Sequence, residues 1–139
     1  MITRDAQAVW HGNLKNGNGT LRVAGRDLPY TFASRFEQGD GTNPEELIGA
    51  AHAGCFSMAL SNMLAKAGHE PESGHTTAEV HLDKDKGAIV KIILRTKADV
   101  PGIDQSTFDE HAANAKANCP ISKTLANVEI VLEEAVLQS

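Results

Sequence analysis

The feature that most constrains this chain is the segment "GTNPEELIGAAHAGCFSMALSNMLAKAGH", Gly41 to His69. Between Glu46 and Lys66 it carries no formal charge. Asn43, Pro44 and Glu46 have the residue types of a helix start: a capping side chain, a first-turn proline and a glutamate that completes a capping box. Gly68 has the residue type of a helix stop. The segment therefore predicts one helix from Pro44 to about Ala67, about 34 Å long at ~1.5 Å per residue. Leu47, Ile48, Phe56, Met58, Leu60, Met63 and Leu64 point nearly all round it, so it belongs at the centre of a core or in a membrane. Length alone permits a membrane span, but His52, Ser57, Ser61 and Asn62 are costly in lipid, and Ala and Gly add little transfer energy. Small residues from Gly49 to Gly54 let other backbones approach closely. The expectation is a helix wrapped by sheet, with no membrane partner.

The flanking sequence supplies that sheet. "NGNGT" is turn chemistry, and it separates short stretches in which Ala6, Ala8 and Trp10, then Leu21 and Val23, then Leu28, Tyr30 and Phe32 alternate with polar neighbours. These read as a three-stranded meander, followed by the loop "SRFEQGDG". Beyond the helix, Ala78, Val80 and Leu82 alternate, and Val90, Ile92, Leu94, Thr96, Ala98 and Val100 share one parity of a long strand. A second helix follows, capped by Asp104 or Ser106. It places Phe108, Ala112, Ala115 and Cys119 on one face and ends at Pro120. The turn "ISKTL" and a strand through Val128, Ile130 and Leu132 close the chain. The order βββ-α-ββ-α-β predicts an α+β fold with antiparallel sheet, and 139 residues suit a single domain, 1–139. A net charge of −5 with no Lys/Arg run argues against nucleic acid as a partner. The N-terminus has no apolar leader core, so a cytoplasmic protein is expected, with its thiols kept reduced. The histidines are scattered and no C-x-x-C spacing occurs, so no metal or cofactor site is expected.

Two cysteines remain to be explained, and both have an ordinary reading as buried space-fillers. Cys55 sits among small residues that leave room for a ligand, and a reactive thiol needs its thiolate stabilised. It lies too far along its helix for the dipole to act, so it needs a cationic neighbour. His52 is one turn earlier, on the same side of the helix, although a neutral core histidine bonded to backbone is its plainer role. Arg35 lies in the preceding loop, where Glu45 or Glu46 could hold it in a bidentate pair. Glu46 is explained by capping alone. Cys119, before Pro120, could start the "PISKTL" turn, where backbone N–H groups favour a thiolate. The residues alone leave open a thiol enzyme, a redox sensor or small-ligand module without fast turnover, and a structural protein with inert cysteines.

Two long stretches, "RFEQGDGTNPEELIGAAHAGCFSMALS" and "VPGIDQSTFDEHAANAKANCPISKTL", resemble the OsmC/Ohr family of thiol-dependent peroxidases, and the likeness extends over essentially the whole chain. The position of Arg35, ten residues before Glu45, is similar to the OsmC branch. The resemblance implies a metal-free peroxidase that reduces organic hydroperoxides to alcohols in oxidative or osmotic stress defence. It implies that Cys55 is the peroxidatic cysteine and Cys119 the resolving one, joined in a disulfide during turnover. Arg35 would activate the thiolate and orient the peroxide, and Glu45 would hold the arginine. The implied reductant is a dithiol of the lipoyl type. The implied assembly is an intertwined homodimer with sheets wrapping the central helices. No catalytic role for His52 follows from the resemblance.

Overall fold

The computed structural model describes residues 1–138. The chain resolves into two compact units, Met1–Leu47 and Ile48–Ser139, and the six strands among the described residues form two three-stranded sheets.

In the first unit, β1 (Gln7–His11), β2 (Asn18–Val23) and β3 (Arg26–Tyr30) form the expected antiparallel meander. The turn after β1 is closed by Asn13, whose side chain accepts from the Asn16 N–H and whose carbonyl accepts from the Gly17 N–H. Gly19 pairs with Trp10 on one side and Tyr30 on the other. A Cβ there would lie 2.6 Å from each ring, so a glycine at this position lets the two aromatics meet edge-on at 5.1 Å.

The period-two pattern carries on to Phe32 in the sequence, but the strand does not. It stops at Tyr30, and residues expected to be strand and loop form a short helix, α1 (Phe32–Phe36). The reason is local. Thr31 Oγ1 accepts from the Ser34 N–H, while the Thr31 N–H donates to Ser34 Oγ. Such reciprocal capping satisfies two donors that a strand end leaves open. Ser34 then ties down the next loop, because its hydroxyl donates to the Thr42 carbonyl and its carbonyl accepts from Asn43 Nδ2. Gly41 closes that loop at φ +112°, with the Pro29 carbonyl 2.5 Å from where a Cβ would sit.

Helix α2 (Pro44–Lys66) begins where predicted, and Asn43 Oδ1 accepts from the Glu46 N–H at 2.7 Å. The Glu46 carboxylate does not follow the capping-box expectation; it takes the Thr42 hydroxyl at 2.6 Å. The helix ends in paired bonds from the Gly68 N–H to the Ala65 carbonyl and from the His69 N–H to the Leu64 carbonyl, a Schellman closure. It is long and apolar enough to cross a membrane. Within one chain it buries a single stripe, Gly49, His52, Phe56, Leu60 and Leu64. Met58, on another side, is 77% exposed. The all-round apolar composition is therefore covered on one face only, because one three-stranded sheet has one face to give.

In the second unit, β4 (Ser73–Asp83) pairs antiparallel with β5 (Ala88–Asp99), as expected. The last strand, β6 (Glu129–Gln138), pairs parallel with β5, which corrects the expectation of a wholly antiparallel sheet. The physical reason is the connection. Helices α3 (Gln105–Asn118) and α4 (Pro120–Thr124) lie between β5 and β6 and form a crossover that returns the chain to the end where β5 began. Asp104 caps α3 through the Thr107 N–H. Gln105 fastens β6, donating to the Ala135 carbonyl and accepting from the Leu137 N–H.

One apolar cluster joins Phe56, Leu60 and Leu64 of α2 to Ile92, Leu94 and Ala98 of β5, Val100, and Phe108, Ala112 and Ala115 of α3. The α3 stripe and the even parity of β5 from Ile92 onward are thus buried, whereas Val90, of the same parity, is exposed. Phe108 is completely buried. Phe108→Ala is expected to lower unfolding stability by about 3–5 kcal/mol, read from the denaturant midpoint.

Candidate active site

The α3–α4 junction is built around Cys119. The thiol is fully buried and closes α3, and the same residue caps α4, its sulfur accepting from the Ser122 N–H at 3.4 Å. Pro120 at the first position of α4 sharpens the turn. Cys119 therefore starts the "PISKT" turn that its sequence predicts. The Ser122 side chain adds a second contact, with its Oγ 3.1 Å from the sulfur and either group able to donate.

Cys55 is half-buried and packs against the cluster that contains Cys119. Both thiols are free. Burial pushes the Cys55 thiol above its ordinary range. The Ile121 backbone N–H works in the opposite direction, and the neighbouring Cys119 thiol adds to the rise. The Cys119 thiol, 64 positions away in sequence, thus acts on Cys55. Within residues 48–138 burial outweighs the backbone N–H and the protonated thiol is favoured, so a thiolate at Cys55 needs support from a cation.

His52 is completely buried, as a core histidine should be, but its partner is a side chain rather than the expected backbone group. Its Nε2 lies 2.8 Å from Ser122 Oγ. Its Nδ1 is buried and has no partner among the described residues. Burial lowers its pKa from the ordinary 6.5, so the ring is neutral and carries one N–H. With the proton on Nε2, Nδ1 keeps a bare lone pair and no orphaned N–H is buried. Nε2–H then donates to Ser122 Oγ, and the serine hydrogen is left for Cys119. Ser122 was not singled out in the sequence. The signal that could have found it is the C-P-x-S spacing, which puts a serine at the third position of a turn capped by the cysteine.

The remaining two candidates lie in the first unit. Helix α1 presents Arg35, and Glu45 at the start of α2 holds it with two parallel bonds, Nε to Oε1 and Nη2 to Oε2, each 2.9 Å. Glu45 is the more buried partner. This fork fixes the guanidinium plane, and the Phe36 ring lies 5.0 Å from Arg35 Cζ. A cavity of about 390 Å³ opens here, lined by Trp10, Leu14, Tyr30, Phe32 and Phe36, with Arg35 as its one charged group. Glu46 takes no part in this fork.

The neutral state of His52 has a thermodynamic consequence. Its folded pKa lies below its unfolded value, so under acid the unfolded chain binds a proton that the folded chain refuses. The stability contribution is complete above about pH 6.5 and is lost as pH falls below it, with a limiting slope of about 1.4 kcal/mol per pH unit. His52→Gln should remove this part of the acid limb. Urea unfolding between pH 7 and pH 5 measures it.

The family described as OsmC-like protein matches residues 37–133, which contain Glu45, His52, Cys55, Cys119 and Ser122. The chain is 55% identical over 137 residues to peroxiredoxin OsmC of Escherichia coli (strain K12), covering 95% of each chain. It is 34% identical to organic hydroperoxide resistance protein OhrB of Bacillus subtilis (strain 168), covering 88% of each. Its fold matches the crystal structure of an organic hydroperoxide resistance protein OsmC from Legionella pneumophila, with a TM-score of 0.69 and 26% identity, over 98% of this chain and all of that one. By sequence and by fold, this chain belongs to the OsmC-like protein family.

Proposed function

We propose that the chain is a cysteine-based peroxidase that reduces organic hydroperoxides to alcohols. The observation that carries this reading is the pair of free thiols in one cluster, one half-buried and one fully buried, with backbone N–H groups of α4 directed at both sulfurs. The names of the Escherichia coli and Bacillus subtilis relatives, a peroxiredoxin and an organic hydroperoxide resistance protein, support it.

In the proposed cycle the Cys55 thiolate attacks the distal oxygen of the hydroperoxide. An S–O bond forms, the O–O bond breaks, and the leaving alkoxide takes a proton to become the alcohol. Cys119 then attacks the sulfenic sulfur, which forms the Cys55–Cys119 disulfide and releases water. A dithiol, of the lipoyl type, restores both thiols by exchange. Because burial disfavours the Cys55 thiolate, the cycle needs a cation, and Arg35 is that group, kept in one plane by Glu45. The aromatic cavity beside Arg35 suits a hydroperoxide with an apolar tail. No metal or cofactor enters the cycle. A cytoplasmic setting keeps the resting thiols reduced. The exposed side of α2 around Met58 suits burial against a second copy of the chain, in an intertwined homodimer of single-domain chains.

Turnover of tert-butyl hydroperoxide against hydrogen peroxide, with dihydrolipoamide in excess, tests the activity. Cys55→Ser should abolish it. Cys119→Ser should be oxidised once and then accumulate sulfenic or over-oxidised Cys55. Arg35→Ala should slow single-turnover oxidation of Cys55 by about tenfold for each unit its thiol pKa rises above the operating pH, and Arg35→Lys should rescue only in part, since an ammonium lacks the planar fork. Full turnover by Cys55→Ser would refute the assignment. A disulfide that forms without peroxide consumption would make the protein a redox sensor or small-ligand module. For the dimer, light scattering at micromolar concentration should give twice the chain mass, and a monomeric mass with activity intact would contradict it.

A further inference from the structure

We propose that Ser122, held by His52, makes the Cys119 sulfur the leaving group when the disulfide is reduced, so that the dithiol attacks the Cys55 sulfur. The inference rests on the peroxidase reading for the existence of the disulfide, and it concerns a step and two residues which that reading leaves unassigned.

Three observations carry it. First, access is unequal. Cys119 is fully buried, whereas Cys55 is only half-buried. Of the two residues, Cys55 is the one that keeps solvent exposure in this chain. Second, two groups of one residue reach the Cys119 sulfur: the Ser122 N–H, which donates at 3.4 Å, and Ser122 Oγ at 3.1 Å, a hydroxyl able to donate to a thiolate. A thiolate is an acceptor only, so once the S–S bond breaks, both donors serve the departing charge. Third, the serine hydroxyl is aimed. His52 Nε2, 2.8 Å away, donates to Ser122 Oγ, because the buried Nδ1 has no acceptor for a proton of its own. The hydroxyl hydrogen therefore turns to the sulfur, and a chain of donors polarises toward it. A better stabilised thiolate leaves faster.

The step balances as thiol–disulfide exchange. A reductant thiolate donates its electron pair to the Cys55 sulfur, a new S–S bond forms there, and the Cys55–Cys119 bond breaks with its pair going to Cys119. The second reductant thiol, on losing its proton, attacks its own mixed disulfide and displaces the Cys55 thiolate. That proton returns to Cys119. The reductant ends as a cyclic disulfide and both protein thiols are restored. Ser122 and His52 are positioning residues here: neither touches the reductant.

The test uses protein oxidised with diamide, which makes the disulfide without any peroxide and so separates this proposal from the peroxidase reading. Exposure to a monothiol, 2-mercaptoethanol, followed by acid quenching and peptide mass analysis, locates the mixed disulfide. It should lie on Cys55, with Cys119 free; an adduct on Cys119 overturns the proposal. Stopped-flow reduction by dihydrolipoamide should be about tenfold slower in Ser122→Ala, the loss of a hydrogen bond to a charged sulfur. His52→Leu should be slowed similarly. His52→Gln, which can place an amide N–H near the Nε2 position, should recover most of the rate. Equal slowing by His52→Leu and His52→Gln, or a wild-type rate in Ser122→Ala, overturns the assignment. Failure of diamide to bridge the wild-type cysteines overturns it too, whereas a bridged protein that consumes no peroxide defeats only the peroxidase reading.

Discussion

The packing of one stripe of α2 into the second unit is the constraint on which its other features depend. Phe56, Leu60 and Leu64 must be buried together, and an α-helix then turns His52 inward with them, one turn earlier on the same face. A buried imidazole needs a hydrogen-bond partner, and Ser122 provides it from the α3–α4 junction. Cys55 is one position from Phe56 and falls at the edge of the stripe, so it is half-buried while its neighbour is fully enclosed. The placement of the histidine and of the exposed edge of the thiol pair are consequences of the same helical phase.

That placement creates an electrostatic problem. The cluster that gives the unit its core also desolvates Cys55 and works against its thiolate. Charge support must come from groups that do not disturb the apolar packing. Backbone N–H groups at the start of α4, already oriented by the turn at Pro120, serve the Cys119 sulfur and offset part of the burial of Cys55. The arginine assigned to Cys55 in the proposed cycle stands outside the cluster. Its own desolvation is limited, and its orientation comes from a carboxylate fork.

The first unit shows how a short motif overrides a longer pattern. Leu28, Tyr30 and Phe32 alternate as a strand would, yet Thr31 and Ser34 stop the strand and start α1. The consequence reaches Arg35, which rides on that helical turn. A continued strand would have put neighbouring side chains on opposite faces. The helix instead sets the Arg35 guanidinium beside the Phe36 ring and within reach of Glu45.

By itself the sequence determined every element except α1, the start of α2, the α3 stripe, the part of the β5 face from Ile92 onward, and every candidate of the site except Ser122. These follow from periodicity and capping, which are properties of neighbours along the chain. The bidentate pair of Arg35 and Glu45 was legible as one of two options, and Cys119 at the start of its turn as a possibility. Tertiary structure alone decided the rest. The parallel pairing of β6 depends on where a crossover of two helices returns the chain. The single covered face of α2 depends on how much surface one sheet offers. The partnership of His52 with Ser122 spans 70 positions, and no local rule connects residues so far apart. It arises because helical phase and the α3–α4 junction bring two buried polar groups together, and each is the hydrogen-bond partner that the other's burial demands.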